Sequence, residues 1–211
     1  IIITVNPLPI VNPITNVDVC ANSNIAEQVL STLPAGASFI WTNTNINIGL
    51  AASGTGNIPS FTALNSTSGN LTATISITST LNGCTGPAGT TAVTVNPIPV
   101  APTAGSNSAI CAGQTLNLTA STITNATYNW TGPNGFTNTT QNPSIANATT
   151  AATGTYSVTA TVNGCTGPAG TTAVTVNLTP AAPTAGSNSA ICSGQALNLT
   201  ASSITNATYN W

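Results

Sequence analysis

The chain has 211 residues with no Lys, Arg, His or Met, and Asp18 and Glu27 are its only acidic side chains, so 1% of it is charged against about 25% in an average domain. Nucleic-acid binding needs cations to neutralise phosphates, acid–base catalysis needs a His, a Lys or paired carboxylates, and zinc or calcium sites need more His or carboxylate ligands than exist here. These counts exclude nucleic-acid partners, argue against an enzyme and call for no metal or cofactor, leaving a scaffold, a binder or a self-assembling element.

Disorder joins low hydrophobicity to high net charge, whereas this chain is 41% apolar with a net charge of only −2. Its apolar residues are mostly Val, Ile, Leu and Ala, and the prominent polar residue is Thr, which fits a half-buried pleated surface. No apolar run approaches the roughly 18 residues of a membrane span, so no membrane insertion is expected. The predicted class is all-β.

Taken in chain order, the predicted elements recur with a period of 81 residues: 83–96 (GCTGPAGTTAVTVN) returns unchanged at 164–177, 102–111 (PTAGSNSAIC) at 183–192, and 123–130 (ITNATYNW) at 204–211. A solenoid coil is shorter; a unit of about 81–90 residues suits a whole β-sandwich. Residues 1–7 (IIITVNP) resemble 91–97 (TAVTVNP) and are expected to be the last strand of a preceding repeat. Residues 8–97 form a diverged copy, 98–179 a nearly complete one, and 180–211 the N-terminal part of a third, so the sequence reads as a window on a longer array. Pro-rich stretches (Pro7, Pro9, Pro13; Pro97, Pro99, Pro102; Pro180, Pro183) mark the joints, where proline supplies a short, stiff linker.

Within the repeats, Ile75, Ile77, Ser79 and Leu81 alternate inward and lead to Asn82-Gly83. Leu116, Leu118 and Ala120 form another alternating strand, and Tyr128 and Trp130 begin the next. Tyr156, Val158, Ala160 and Val162 are predicted to face the core, followed by Asn163-Gly164, a preferred two-residue hairpin turn, and then a strand over 173–176. About seven short strands per repeat fit an immunoglobulin-like antiparallel sandwich.

The order Cys-x-Gly-x-x-Leu-x-Leu-x-Ala (111–120), Tyr-x-Trp-x-Gly-Pro-x-Gly-Phe (128–136), Gly-x-Tyr-x-Val (154–158) and Asn-Gly-Cys (163–165) resembles the Ig-like and PKD-like repeats of large secreted surface proteins of Bacteroidota, of the gliding-motility-adhesin type exported by type IX secretion. The first repeat, with Ile75 where the second has Tyr156, is closer to the PKD-like variant. The resemblance implies an extracellular, surface-displayed and adhesive protein; it names no ligand.

Five cysteines are disulfide candidates: Cys20, Cys84, Cys111, Cys165 and Cys192. Each repeat owns one before its second strand and one after its long penultimate strand, as expected of cystines in an extracellular array. Two pairings are open. One lies within repeats, Cys20–Cys84 and Cys111–Cys165. Matching the immunoglobulin pattern, however, puts Cys111 nine residues below the core layer of Ala120 and Val158 and Cys165 seven above it, far beyond the roughly 7 Å that a disulfide tolerates between Cα atoms. The other pairing joins neighbouring repeats, Cys20 to Cys165, and leaves Cys84, Cys111 and Cys192 to partners elsewhere.

Ten Asn-x-Ser/Thr patterns, among them Asn65, Asn117 and Asn138, are the number such a composition produces largely by chance. Trp41 and Trp130 are read as core rather than as sugar-stacking platforms, and Tyr156 as a structural corner. Phe136, in the loop 132–136 (GPNGF), is the possible exposed contact. Asp18 and Glu27 have no basic partner and are expected to be solvated.

Three functions follow. The first is a structural stalk or filament segment for surface display, whose partners are neighbouring repeats and further copies of itself. The second is an adhesive module gripping surface glycans through its loops. The third, an ice-binding face of Thr rows, fits an 81-residue sandwich poorly.

Overall fold

The computed structural model describes residue 3 and residues 5–211. Of the strand expected over 1–7, positions 1, 2 and 4 lie outside the described residues, and Ile3 and Val5 are exposed. The first repeat contains β1 (Ile10–Val11), β2 (Val17–Cys20), β3 (Asn24–Ile25), β4 (Thr32–Leu33), β5 (Ser38–Asn43), β6 (Ser53–Thr55), β7 (Phe61–Thr62), β8 (Leu71–Leu81), β9 (Cys84–Thr85) and β10 (Gly89–Asn96). The second contains β11 (Ala104–Ser106), β12 (Ile110–Cys111), β13 (Leu116–Ala120), β14 (Thr127–Gly132), β15 (Phe136–Asn138), β16 (Ser144–Ile145), β17 (Gly154–Val162), β18 (Cys165–Thr166), β19 (Gly170–Val174) and β20 (Val176–Asn177). Two further strands, β21 (Ala185–Ser187) and β22 (Leu199–Ala201), follow.

Alternation of small or β-branched apolar residues with Thr and Ser produces these strands. In β8, Ala73, Ile75, Ile77 and Ser79 are buried while Thr72 and Thr74 face solvent. In β17, Tyr156, Val158 and Ala160 are buried, and Val162 is half-buried because it reaches the end of the sandwich.

Each repeat is an immunoglobulin-like sandwich. In the first, one sheet runs β2-β10-β8-β5-β6, with β2 parallel to β10 and the other neighbours antiparallel. The short pairs β1–β4 and β3–β7 form the facing layer. The second repeat reproduces this: β15-β14-β17 with β19 on β17, β12 parallel to β20, and β11-β13-β16 opposite. One core gathers around Trp41, Ile48, Ile75 and Ile77, another around Leu116, Leu118, Trp130 and Tyr156.

The Asn-Gly pairs sit where the sequence places a turn. Asn82 and Gly83 have φ of 48° and 79°, Asn163 and Gly164 49° and 76°, the two successive positive values that a type I′ hairpin demands. The returning strand then bulges: Gly86 bonds Ser79 and Gly89 pairs with Ile77, so Pro87 and Ala88 oppose Thr78 alone. A proline without an N–H is tolerated at such a bulge.

The joint prolines do more than stiffen linkers. Pro9 and Pro102 are buried within their own repeats. A Cβ on Gly86 would lie 1.7 Å from the Pro9 carbonyl oxygen, and one on Gly170 would lie 1.8 Å from that of Pro102. The repeated Gly-Pro-Ala-Gly block is therefore the bed on which each repeat's entering strand lies.

Residues 180–211 copy local structure without its burial. β21 pairs with β22 in the register of β11 with β13 (Ala185↔Ala201 against Ala104↔Ala120). Yet Leu197, Leu199, Tyr209 and Trp211 are exposed, whereas Leu116, Leu118, Tyr128 and Trp130, 81 residues earlier, are buried.

Candidate functional site: the joint between the repeats

Cys20 ends β2 opposite Asn96, the last residue of β10, at the pole where the chain leaves the first repeat. Cys165 follows the Asn163-Gly164 turn of the second repeat and pairs with Val162. The two sulfurs are bonded, with Cα atoms 5.6 Å apart and 145 residues between them in sequence. Cys165 is 1% exposed, so the joint itself covers the bond. Cys84, half-buried, and Cys111 and Cys192, both exposed, are free.

Strand order explains why Cys111 and Cys165 stay apart. Cys111 lies before β13, on the separate strand β12, paired with Asn177 of β20. Cys165 precedes Asn177 by twelve residues on the same returning run, about 40 Å along extended chain. The entry strand of one repeat and the hairpin of the next share a pole, and that proximity selects the bond between repeats.

The Asn163 amide donates to Asn70 Oδ1 across the joint at 3.5 Å. Beside it opens a cleft of about 570 Å³, lined by loop 65–68 of the first repeat, linker residues 97–100, and Ile123, Thr124 and Val162 of the second. Asn65 shapes its wall, its amide nitrogen donating to the Gly69 carbonyl at 2.8 Å and the Val95 carbonyl at 2.7 Å. That amide is committed to these two backbone contacts.

The remaining candidates are largely structural. Trp130 is fully buried and its indole N–H donates to the Gln141 carbonyl at 3.1 Å; Trp41 is 2% exposed. Neither presents a face to a sugar. The Tyr156 hydroxyl donates to the Ala152 carbonyl at 3.0 Å, closing the corner before β17, and burial raises its pKa above the usual phenol value. Phe136 is half-buried, its ring edge-on to Tyr156 at 5.4 Å between centroids, so only part of it faces outward. Asp18 accepts from the Asn96 amide and Glu27 from the Asn57 amide at 2.9 Å. Both acids are thus held by asparagines rather than by water alone, a pairing with no short-range sequence signal. Among the described residues no group of three His, Cys, Asp or Glu side chains stands close enough to hold a metal, and no helix is long and apolar enough to cross a membrane.

No curated protein matches the chain. Among solved structures it is similar to two Ig domains of DIP-gamma (11% identity over 82% of this chain and 98% of that one, TM-score 0.39). It is also similar to a titin fragment (12% identity, 77% and 62%, TM-score 0.46) and to murine CEACAM1b (14% identity, 77% and 96%, TM-score 0.44). With scores that low, the fold assignment rests on this chain's own strand order. Residues 100–178 match the PKD domain family, so the match falls on the second repeat, not on the first that the sequence marks as the more PKD-like.

Proposed function

We propose that the chain is a segment of a structural stalk on a secreted surface protein, and that its task is reach and mechanical continuity. The observation that carries this reading is the Cys20–Cys165 bond, which ties two head-to-tail sandwiches together at a joint already spanned by the linker. A disulfide between modules belongs to an oxidising, extracellular setting, and the near absence of charge favours an inert surface over a catalytic one. On this reading residues 1–7 close one repeat, 8–97 and 98–179 are whole repeats, and 180–211 open another. The sequence resemblance to Bacteroidota surface adhesins of the type IX route supports this reading. Lateral association into fibres belongs to the same reading, because charge repulsion between copies is nearly nil. Small-angle scattering of the purified chain tests it: a rod-like particle with a fixed angle between repeats is expected, and a flexible coil overturns it.

A second reading, adhesion to surface glycans, draws support from the cleft at the joint and the outward part of Phe136. Binding on a glycan array, abolished by Phe136→Ser or by Ile123→Asp, is its expected signature.

A further inference from the structure

The position of the disulfide has a mechanical consequence. Tension applied to the two ends of the chain reaches Cys20 through the first twenty residues, crosses the sulfur bridge to Cys165, and leaves through β19 and β20. Residues 21–164 lie inside a closed covalent loop. Both sandwich cores are built mainly from that loop, so neither has to resist tension for the chain to stay connected and short.

The same two half-sites recur. Cys111 ends β12 opposite Asn177, as Cys20 ends β2 opposite Asn96. Cys84 pairs with Leu81 beside its hairpin, as Cys165 pairs with Val162. Cys84 and Cys111 are 27 residues apart, and so are Cys165 and Cys192. The stretch 84–111 comprises β9, β10, a Pro-rich linker, β11 and β12. Strand already advances about 3.3 Å per residue, close to the roughly 3.6 Å limit of a straight chain.

We propose, resting on the stalk reading, that the entry-strand cysteine of each repeat bonds the hairpin cysteine of the repeat seated after it. Cys111 then takes the hairpin cysteine of a following repeat, and Cys84 serves the entry-strand cysteine of a preceding one. The result is two interleaved covalent threads, each running from cysteine to cysteine through 27 residues of strand and Pro-rich linker. These threads carry the load while the sandwiches hold them in register, and the array is almost inextensible. Each rung forms when two thiols give up two protons and two electrons to a protein or small-molecule disulfide, which is reduced to two thiols as the new S–S bond closes.

Pulling the full chain between its ends in a force spectrometer, with and without a thiol reductant, tests the load path. The oxidised chain is expected to stop extending once residues outside the loop are straight; the reduced chain is expected to extend roughly 500 Å further, the contour of the 145-residue loop. Cys20→Ser, whose side chain is less buried than Cys165, is expected to give the long extension without reductant. Equal extension in both states removes the thread, while a rod seen by scattering would still leave the stalk reading standing. For the rungs, non-reducing peptide mapping of thiol-blocked protein from its natural source is expected to recover Cys111 joined to a hairpin cysteine of another repeat. Recovery of Cys111 as a blocked thiol, or joined to Cys165, overturns them.

Discussion

At the scale of single residues, glycine is where the repeats tolerate least. Gly86 and Gly170 sit under the carbonyls of Pro9 and Pro102, with no room for a methyl group. Gly86→Ala or Gly170→Ala is therefore expected to cost about 1–3 kcal/mol by forcing the entering strand away, measured by urea unfolding. Gly69→Ala, where an added Cβ meets nothing within 4 Å, is the near-neutral control. Tyr156 offers a pH test. Burial raises its pKa in the folded chain, so above about pH 10 the unfolded state loses its phenolic proton first. Its contribution to stability is then complete below pH 10 and declines as pH rises through the folded value. Thermal melts across alkaline pH are expected to show that decline in the parent and to lose part of it in Tyr156→Phe. That variant also gives up the bond to Ala152, at about 1 kcal/mol.

At the scale of elements, the β17–β18 hairpin positions the staple. Asn163 and Gly164 hold left-handed backbone that costs other residues roughly 1–2 kcal/mol each. Replacing both by Val is expected to loosen the turn, displace Cys165 and raise the fraction of chain in which Cys20 is free to a maleimide reagent. Much of this element is legible in the sequence, because Asn-Gly between alternating runs specifies its own turn and the alternation specifies the inward face. The bulge at Pro87-Ala88 and the bed for Pro9 are not legible as such. Their only trace is that Gly-Pro-Ala-Gly is repeated unchanged, and a repeated glycine does not say which distant backbone lies on it.

At the scale of the whole molecule, the absence of cations sets the solution behaviour. Melting temperature is expected to change little as added salt shortens the screening length from about 30 to 10 Å, since the sequence has no cationic side chain to pair with its two acids; a strong salt dependence by calorimetry would contradict this. Trypsin is expected to leave even the reduced, denatured chain intact on a gel, because there is no Lys or Arg to cut after. The bond between repeats closes a 145-residue loop, and its removal by Cys20→Ser is expected to lower stability in urea by about 2–4 kcal/mol.

The identical octapeptides at 123–130 and 204–211 separate what each level decides. In both, the tyrosine hydroxyl accepts from the isoleucine N–H and donates to a serine carbonyl, Tyr128 with Ile123 and Ser121, Tyr209 with Ile204 and Ser202. Those contacts span five and seven residues, so the sequence by itself determines them, along with the strand faces, the Asn-Gly turns and the sandwich class. Trp130 is buried because β15 and β17 pair with β14 around it, neighbours that the octapeptide does not itself encode. The choice of Cys20 for Cys165 is of the same kind. Periodicity supplied equivalent cysteines, and only the packing of one repeat's exit pole against the next repeat's hairpin brought two of them within bonding distance.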